Sequence, residues 1–165
     1  MIRPEKPSDI ASLKTVVTKA FAPVSYSDGT EPRIVDMLRE TGALTLSLVA
    51  EVAGEIVGHI AFSPVTVNNE NCGWLGLGPL AVLPHHQRHG IGTALVQAGL
   101  AQIKSQHAQG CVVLGNPAYY GRFGFAQTPD LRFADAPAEF FQTLPFTDIA
   151  PRGDVTYHNA FSISA

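Results

Sequence analysis

Charge of either sign is scarce in this chain, and so are cysteine, tryptophan and long apolar runs. Only 15% of the 165 residues are charged, and 11 Lys and Arg face 14 Asp and Glu, for a net charge of −3. Chains devoted to nucleic acid usually carry a basic excess or stripe, so no nucleic-acid partner is expected. No apolar run is long enough to span a bilayer, so no membrane partner is expected either. The first ten residues, MIRPEKPSDI, lack the apolar stretch of a secretory signal, and the expected location is the cytoplasm. The two cysteines, Cys72 and Cys111, lie in apolar strand-like runs and read as buried free thiols, not a disulfide. His85, His86 and His89 share one loop with no Cys or carboxylate partner, so no metal is expected. What is present is 45% hydrophobic residues, enough for a core, in a length that suits one domain over 1–165.

Apolar positions recur at helical spacing through residues 9–21, with Ser8 or Asp9 as cap, and through 30–41, with Thr30 as cap and Pro32 in the first turn. Residues 44–52 and 55–67 read as strands of a hairpin turned at Ala53-Gly54. A third strand runs over 72–82, interrupted by Gly76, Gly78 and Pro79, which suggest a bulge. A very apolar helix follows Gly92 to about Gln106, then a short strand, 111–114. Trp74 to Leu114 is thus strand, helix, strand. Residues 138–146 suit helix or strand, and 155–161 a last strand, with Arg152-Gly153-Asp154 as the turn before it. Phe133, Phe140, Phe141 and Phe146 read as core or as packing in a homodimer. The class is α+β, or mixed α/β, with a largely antiparallel sheet.

Two glycines, Gly90 and Gly92, stand where the apolar helix begins. A helix N-terminus offers unpaired N–H groups and about half a positive charge, and it binds phosphate when backbone can approach. Arg88, with three histidines nearby, adds positive charge, so the chemistry suits a diphosphate. A dinucleotide fingerprint would need Gly or Ala where Leu95 stands, and a Walker loop would need a Lys after Gly92. A tight turn with a solvated basic cluster is the plainer alternative.

The stretch Gln87-Arg88-His89-Gly90-Ile91-Gly92, following Leu80-Ala81-Val82-Leu83-Pro84, resembles the acetyl-coenzyme A motif of the GNAT family of N-acetyltransferases. Gly115-Asn116-Pro117-Ala118-Tyr119-Tyr120-Gly121-Arg122-Phe123-Gly124-Phe125 resembles the family's later segment, as found in a branch called YhbS-like. The resemblance implies a GNAT fold: a central, largely antiparallel twisted sheet flanked by helices, with strands splayed apart where acetyl-CoA binds. It implies that Arg88, His89, Gly90, Ile91, Gly92 and Thr93, with Gln87, hold the cofactor's diphosphate, that Leu80, Ala81 and Val82 pair with its pantetheine arm, and that Asn116 contacts the arm from the other side. Asn116 also suits a simple turn before Pro117. It implies no metal, an amine acceptor, and direct attack of the amine on the thioester. A non-catalytic module that senses acetyl-CoA, and a domain binding another nucleotide, are the alternatives.

By the same resemblance Tyr120 hydrogen-bonds or protonates the departing thiolate, with its neighbour Tyr119 as the competing choice. The strands 74–82 and 111–114 carry no carboxylate. The base is therefore left among Glu31, at the start of a helix, His59, on an apolar strand, and water. Asp28 and Glu31 hint at a cationic amine, although two acids in a loop also make an ordinary surface.

Overall fold

Each helix forms where an apolar stripe needs covering. In the computed structural model, which describes residues 1–163, α1 (Ile10–Phe21) buries Leu13, Val16, Val17 and Ala20, and α2 (Glu31–Glu40) buries Ile34, Val35 and Leu38. Neither helix carries the side-chain cap expected of it. Asp9 accepts instead from the Arg3 guanidinium at 2.7 and 3.1 Å and from the Lys6 N–H at 2.7 Å, closing a 3-10 turn over Pro7–Asp9. A charge-assisted pair is worth more to this carboxylate than a neutral cap bond. The Thr30 hydroxyl donates to Asp28.

Nine strands form two sheets among the described residues. They are β1 (Ile2–Pro4), β2 (Leu46–Val52), β3 (Glu55–Pro64), β4 (Thr66–Val67), β5 (Trp74–Val82), β6 (Gly110–Leu114), β7 (Leu131–Arg132), β8 (Phe141–Pro145) and β9 (Gly153–Thr156). The main sheet has six of them in the order β1-β2-β3-β5-β6-β8, and the short strands β4, β9 and β7 make the second. All neighbouring pairs of the main sheet are antiparallel except β5 with β6. Those two strands are joined through α3 (Ile91–Ser105), which is the expected strand-helix-strand unit. Ala53 and Gly54 turn the hairpin with φ of 51° and 82°, the geometry a two-residue turn needs.

The boundaries depart from expectation in several places. The strand expected over 55–67 breaks after Pro64, and its end joins the second sheet. Residues 138–146 become a 3-10 turn (Ala138–Phe140) followed by β8. The last strand starts at Gly153 and ends at Thr156, and Phe161 lies in a 3-10 turn (Asn159–Ser162). Cys72 precedes β5 and is half-exposed, because the chain is still turning there; only Cys111 is buried.

Helix α3 covers one face of the sheet through Leu95, Val96, Gly99 and Ile103, with Gly99 seated directly on the Phe62 ring. Helix α1 covers the other face, where Val16, Val17 and Ala20 pack on Ala81. Between β3 and β5 the register moves from Ile60↔Leu80 to Phe62↔Leu77, so that Gly78 and Pro79, joined by a cis peptide, form a bulge. β5 and β6 pair only as far as Leu77↔Val113. Beyond that point the two strands part, and Leu80–Val82 keep a strand neighbour on the β3 side alone.

Candidate active site

The turn into α3 leaves backbone N–H groups without partners in the helix. The first backbone bond of the helix runs from the Ala94 N–H to the Gly90 carbonyl at 3.0 Å, so the N–H groups of Ile91, Gly92 and Thr93 have no acceptor within the helix. The glycines serve different ends. Gly90 has a φ of 82° and open space around it, so its role is conformational. Gly92 is there for room: a Cβ would lie 3.1 Å from the Tyr119 hydroxyl oxygen. Arg88 is itself left-handed, with a φ of 65°, a conformation that costs an L-residue about 1 kcal/mol.

These residues open onto a cleft of about 520 Å³. Of the sequence-predicted cofactor residues, Leu80, Val82, Gln87, Arg88, Gly90, Gly92 and Thr93 line it. The side chains of Ala81, His89, Ile91 and Asn116 do not. Ala81 is buried against α1, Ile91 packs on the core, and His89 is exposed. The Asn116 side chain accepts from the Ala118 N–H at 2.9 Å, capping the one-turn helix α4 (Pro117–Tyr120). Gln87 donates from its amide to the Val82 carbonyl at 3.0 Å, tying the turn to the end of β5. Tyr119 and Arg122 also line the cleft, and neither was assigned to the cofactor from sequence. Their signal was their place beside Tyr120 and Gly121 in the second motif, which only the fold turns toward the cleft.

The two adjacent tyrosines part company. Tyr119 faces the cleft, while Tyr120 lays its ring over Gly115 and packs edge-on against Tyr119 at 5.0 Å and Phe125 at 5.9 Å. Burial pushes the Tyr120 phenol well above its ordinary pKa, and the nearby Tyr119, Tyr26 and Cys111 act in the same direction. The hydroxyl therefore keeps its proton at neutral pH and has no hydrogen bond to any described residue, so it is free to donate.

On the other side of the bulge lies a second cavity, about 510 Å³, bounded by Leu77, Gly78 and Pro79 of β5 and by Leu114 at the end of β6. Cleft and cavity thus share one strand, β5. Glu31 lines this cavity, half-buried, and accepts from the Ser27 hydroxyl at 2.6 Å. Phe21, Phe133, Tyr157 and Phe161 are its aromatic walls, and no Lys or Arg is among its lining residues. Asp28 is turned to Thr30, accepting from its N–H and its hydroxyl. His59 is fully buried between Val49 and Ala81 on the neighbouring strands and does not line the cavity. Its Nε2 lies 2.7 Å from the Ser47 Oγ, which donates to Glu5, whose carboxylate pairs with Arg39. Since the carboxylate can only accept, Ser47 accepts from His59, which therefore carries its proton on Nε2 and leaves Nδ1 without a partner among the described residues. Burial lowers the His59 pKa to about 4. Among the described residues no group of three or more His, Cys, Asp or Glu could hold a metal ion, and no helix is long and apolar enough to cross a membrane.

The chain and its fold are similar to those of known proteins. A profile described as "Acetyltransferase (GNAT) domain" matches residues 44–127. An uncharacterised N-acetyltransferase of Escherichia coli, YhbS, is 38% identical over 98% of this chain and 98% of its own. The chain belongs to the GNAT family of acetyltransferases. The structure of a GNAT family acetyltransferase from Brucella melitensis in complex with acetyl-CoA is 50% identical, with a TM-score of 0.88 over 98% of this chain and 97% of that one. That of Escherichia coli YhbS in complex with CoA is 34% identical, with a TM-score of 0.90 over 99% and 92%.

Proposed function

We propose that this protein transfers the acetyl group of acetyl-CoA to the nitrogen of a cationic amine, both substrates being bound at once. One observation carries the reading: the cleft and the cavity are lined by adjoining residues of one strand, Leu80 and Val82 for the cleft and Leu77, Gly78 and Pro79 for the cavity. A donor laid in the first and an acceptor in the second would meet at the gap between β5 and β6. The residues fit the donor. Free N–H groups at Ile91–Thr93 and the Arg88 guanidinium suit a diphosphate, and Gly92 leaves the room that a side chain would fill. The complexes of two relatives with acetyl-CoA and CoA support the same choice.

When bound, the cosubstrate supplies an acyl group activated as a thioester. The chain's part is to place and to polarise. Alternate backbone groups of Leu80–Val82 point away from β3 into the gap, where they can pair with an extended arm and where an N–H can polarise a carbonyl. Tyr120 donates a hydrogen bond to the sulfur as the C–S bond breaks and the C–N bond forms. A cationic amine first gives one proton to water and attacks as the neutral amine; the proton its nitrogen then loses on acylation balances the one the thiolate gains. Glu31 faces the acceptor cavity and draws a cationic amine toward it, while His59, held neutral behind the sheet, takes no proton from the acceptor. A fold-checked preparation should release free thiol from acetyl-CoA only when an amine is supplied, tested across alkyl amines, diamines and peptides. Absence of amine-dependent thiol across the panel, with CoA still bound, would refute catalysis.

A further inference from the structure

Most arginines of this chain have a carboxylate of their own. Arg3 pairs with Asp9 and Glu51, Arg39 with Glu5 and Asp36, Arg132 with Asp154, and Arg152 with Asp130. Arg88 and Arg122 have none among the described residues, and both line the same cleft, which has no acidic residue in its walls. They come from different elements: Arg88 from the turn before α3, Arg122 from the 3-10 turn Gly121–Phe123 that follows α4. Arg122 is held in place. Its guanidinium carbon lies 4.5 Å from the Tyr119 ring centroid and 5.7 Å from that of Phe123, and its Nε donates to the Tyr119 carbonyl at 3.3 Å. One face of the fork is stacked and Nε is engaged, so the two terminal nitrogens are left with no acceptor among the described residues.

Two like charges facing one cleft repel each other unless an anion lies between them. We propose that Arg122 is a phosphate ligand of the CoA cosubstrate, presented by its stack on Tyr119 to the cleft it lines together with the Gly90–Gly92 turn. The proposal rests on the cofactor reading of the cleft given above. It also gives the two tyrosines different roles, with Tyr119 committed to the cofactor wall and Tyr120 left for the sulfur. CoA offers two sources of this chemistry, the diphosphate bridge and the phosphate on the ribose, and Arg122 recognises the phosphate in either case.

The test is calorimetry of CoA and of 3′-dephospho-CoA with Arg122→Gln and Arg122→Lys, each at low and moderate salt. Arg122 is exposed, so both variants should fold. Arg122→Gln should bind CoA at least tenfold more weakly and with a shallower salt dependence, since one screened charge is lost. Arg122→Lys should fall between, because an ammonium keeps the charge but loses the planar stack and the fork. Equal losses on the two ligands place Arg122 on the diphosphate; a loss confined to CoA places it on the ribose phosphate. With S-acetylpantetheine, which has no phosphate, kcat/KM should not change, whereas a merely structural role for Arg122 would lower it. Unchanged CoA affinity and unchanged salt dependence in Arg122→Gln would overturn the proposal. Gly92→Val, measured alongside, tells the two failures apart: if it weakens CoA binding while Arg122→Gln does not, the cleft stands and the clasp falls; if neither has an effect, the cofactor reading of the cleft falls as well.

Discussion

Gly90 and Gly92 look alike in the sequence, and the structure separates them into a testable pair. At Gly92 an added Cβ would lie 3.1 Å from the Tyr119 hydroxyl and point into the cleft. Valine adds two methyl groups beyond that point, where a diphosphate must come to reach the N–H groups of Ile91, Gly92 and Thr93. Hydrogen bonds to a charged acceptor are worth about 1.5–3 kcal/mol each. Losing one of them gives a tenfold or greater rise in Kd for CoA, since each ~1.4 kcal/mol is a factor of ten. At Gly90 an added Cβ meets nothing within 4 Å, but its φ of 82° is left-handed. Gly90→Ala should therefore cost about 1 kcal/mol of stability, or roughly 2–4 °C in Tm for a chain of this size, with little direct effect on the cleft. Titration calorimetry and thermal unfolding of both variants should show opposite patterns: affinity lost with Tm nearly kept in Gly92→Val, Tm lost with affinity nearly kept in Gly90→Ala. Wild-type affinity in a folded Gly92→Val protein would refute the placement of the phosphate.

Tyr120→Phe removes a hydroxyl with no partner among the described residues, so it should lower kcat by roughly 10- to 1000-fold while CoA affinity barely moves; an equal loss in binding would mark the residue as packing. With no carboxylate on β5 or β6, kcat/KM for an alkyl amine should keep rising to at least about pH 9, following the amine's own deprotonation, and Glu31→Gln should leave the shape of that profile unchanged. An inflection near neutrality that disappears in Glu31→Gln would instead name Glu31 as the base. Burial holds the folded-state pKa of His59 at about 4, below its unfolded value near 6.5. Between those values the unfolded chain binds the extra proton, so the neutral-histidine contribution is complete above about pH 6.5 and is lost as pH falls toward 4. The loss is of order 3 kcal/mol, at about 1.36 kcal/mol per unit. Tm measured from pH 7 to pH 4 should fall accordingly, and His59→Gln should flatten that part of the curve; a wild-type slope in the variant would show that Glu5 and Arg39 set it.

Periodicity and the two motifs determined a good deal without any coordinates. The stripes that bury Leu13, Val17, Ile34 and Leu38, the Ala53-Gly54 hairpin, the strand-helix-strand around α3 and the glycine turn at its start all rest on interactions between residues close in the chain, which local sequence records. The short pieces could not be read. β1 is three residues long and ends in proline, and it is a strand only because β2 offers it an edge. Thr66–Val67 and Gly153–Thr156 likewise become a sheet only because they meet each other. Asp9 matched a helix cap in sequence and became the partner of Arg3 and of the Lys6 N–H, so its carboxylate is turned back toward the start of the chain and not onto α1. Most of the site was decided in the same way. Which of Tyr119 and Tyr120 faces the cleft depends on how α4 docks beside Gly92, and the free charge on Arg122 depends on there being no carboxylate partner for it among the described residues. His59 is withdrawn behind the sheet because Ser47, from the neighbouring strand, and Glu5, from near the start of the chain, converge on it. Contacts between distant segments are set by packing the whole chain into one core, and no local pattern carries them.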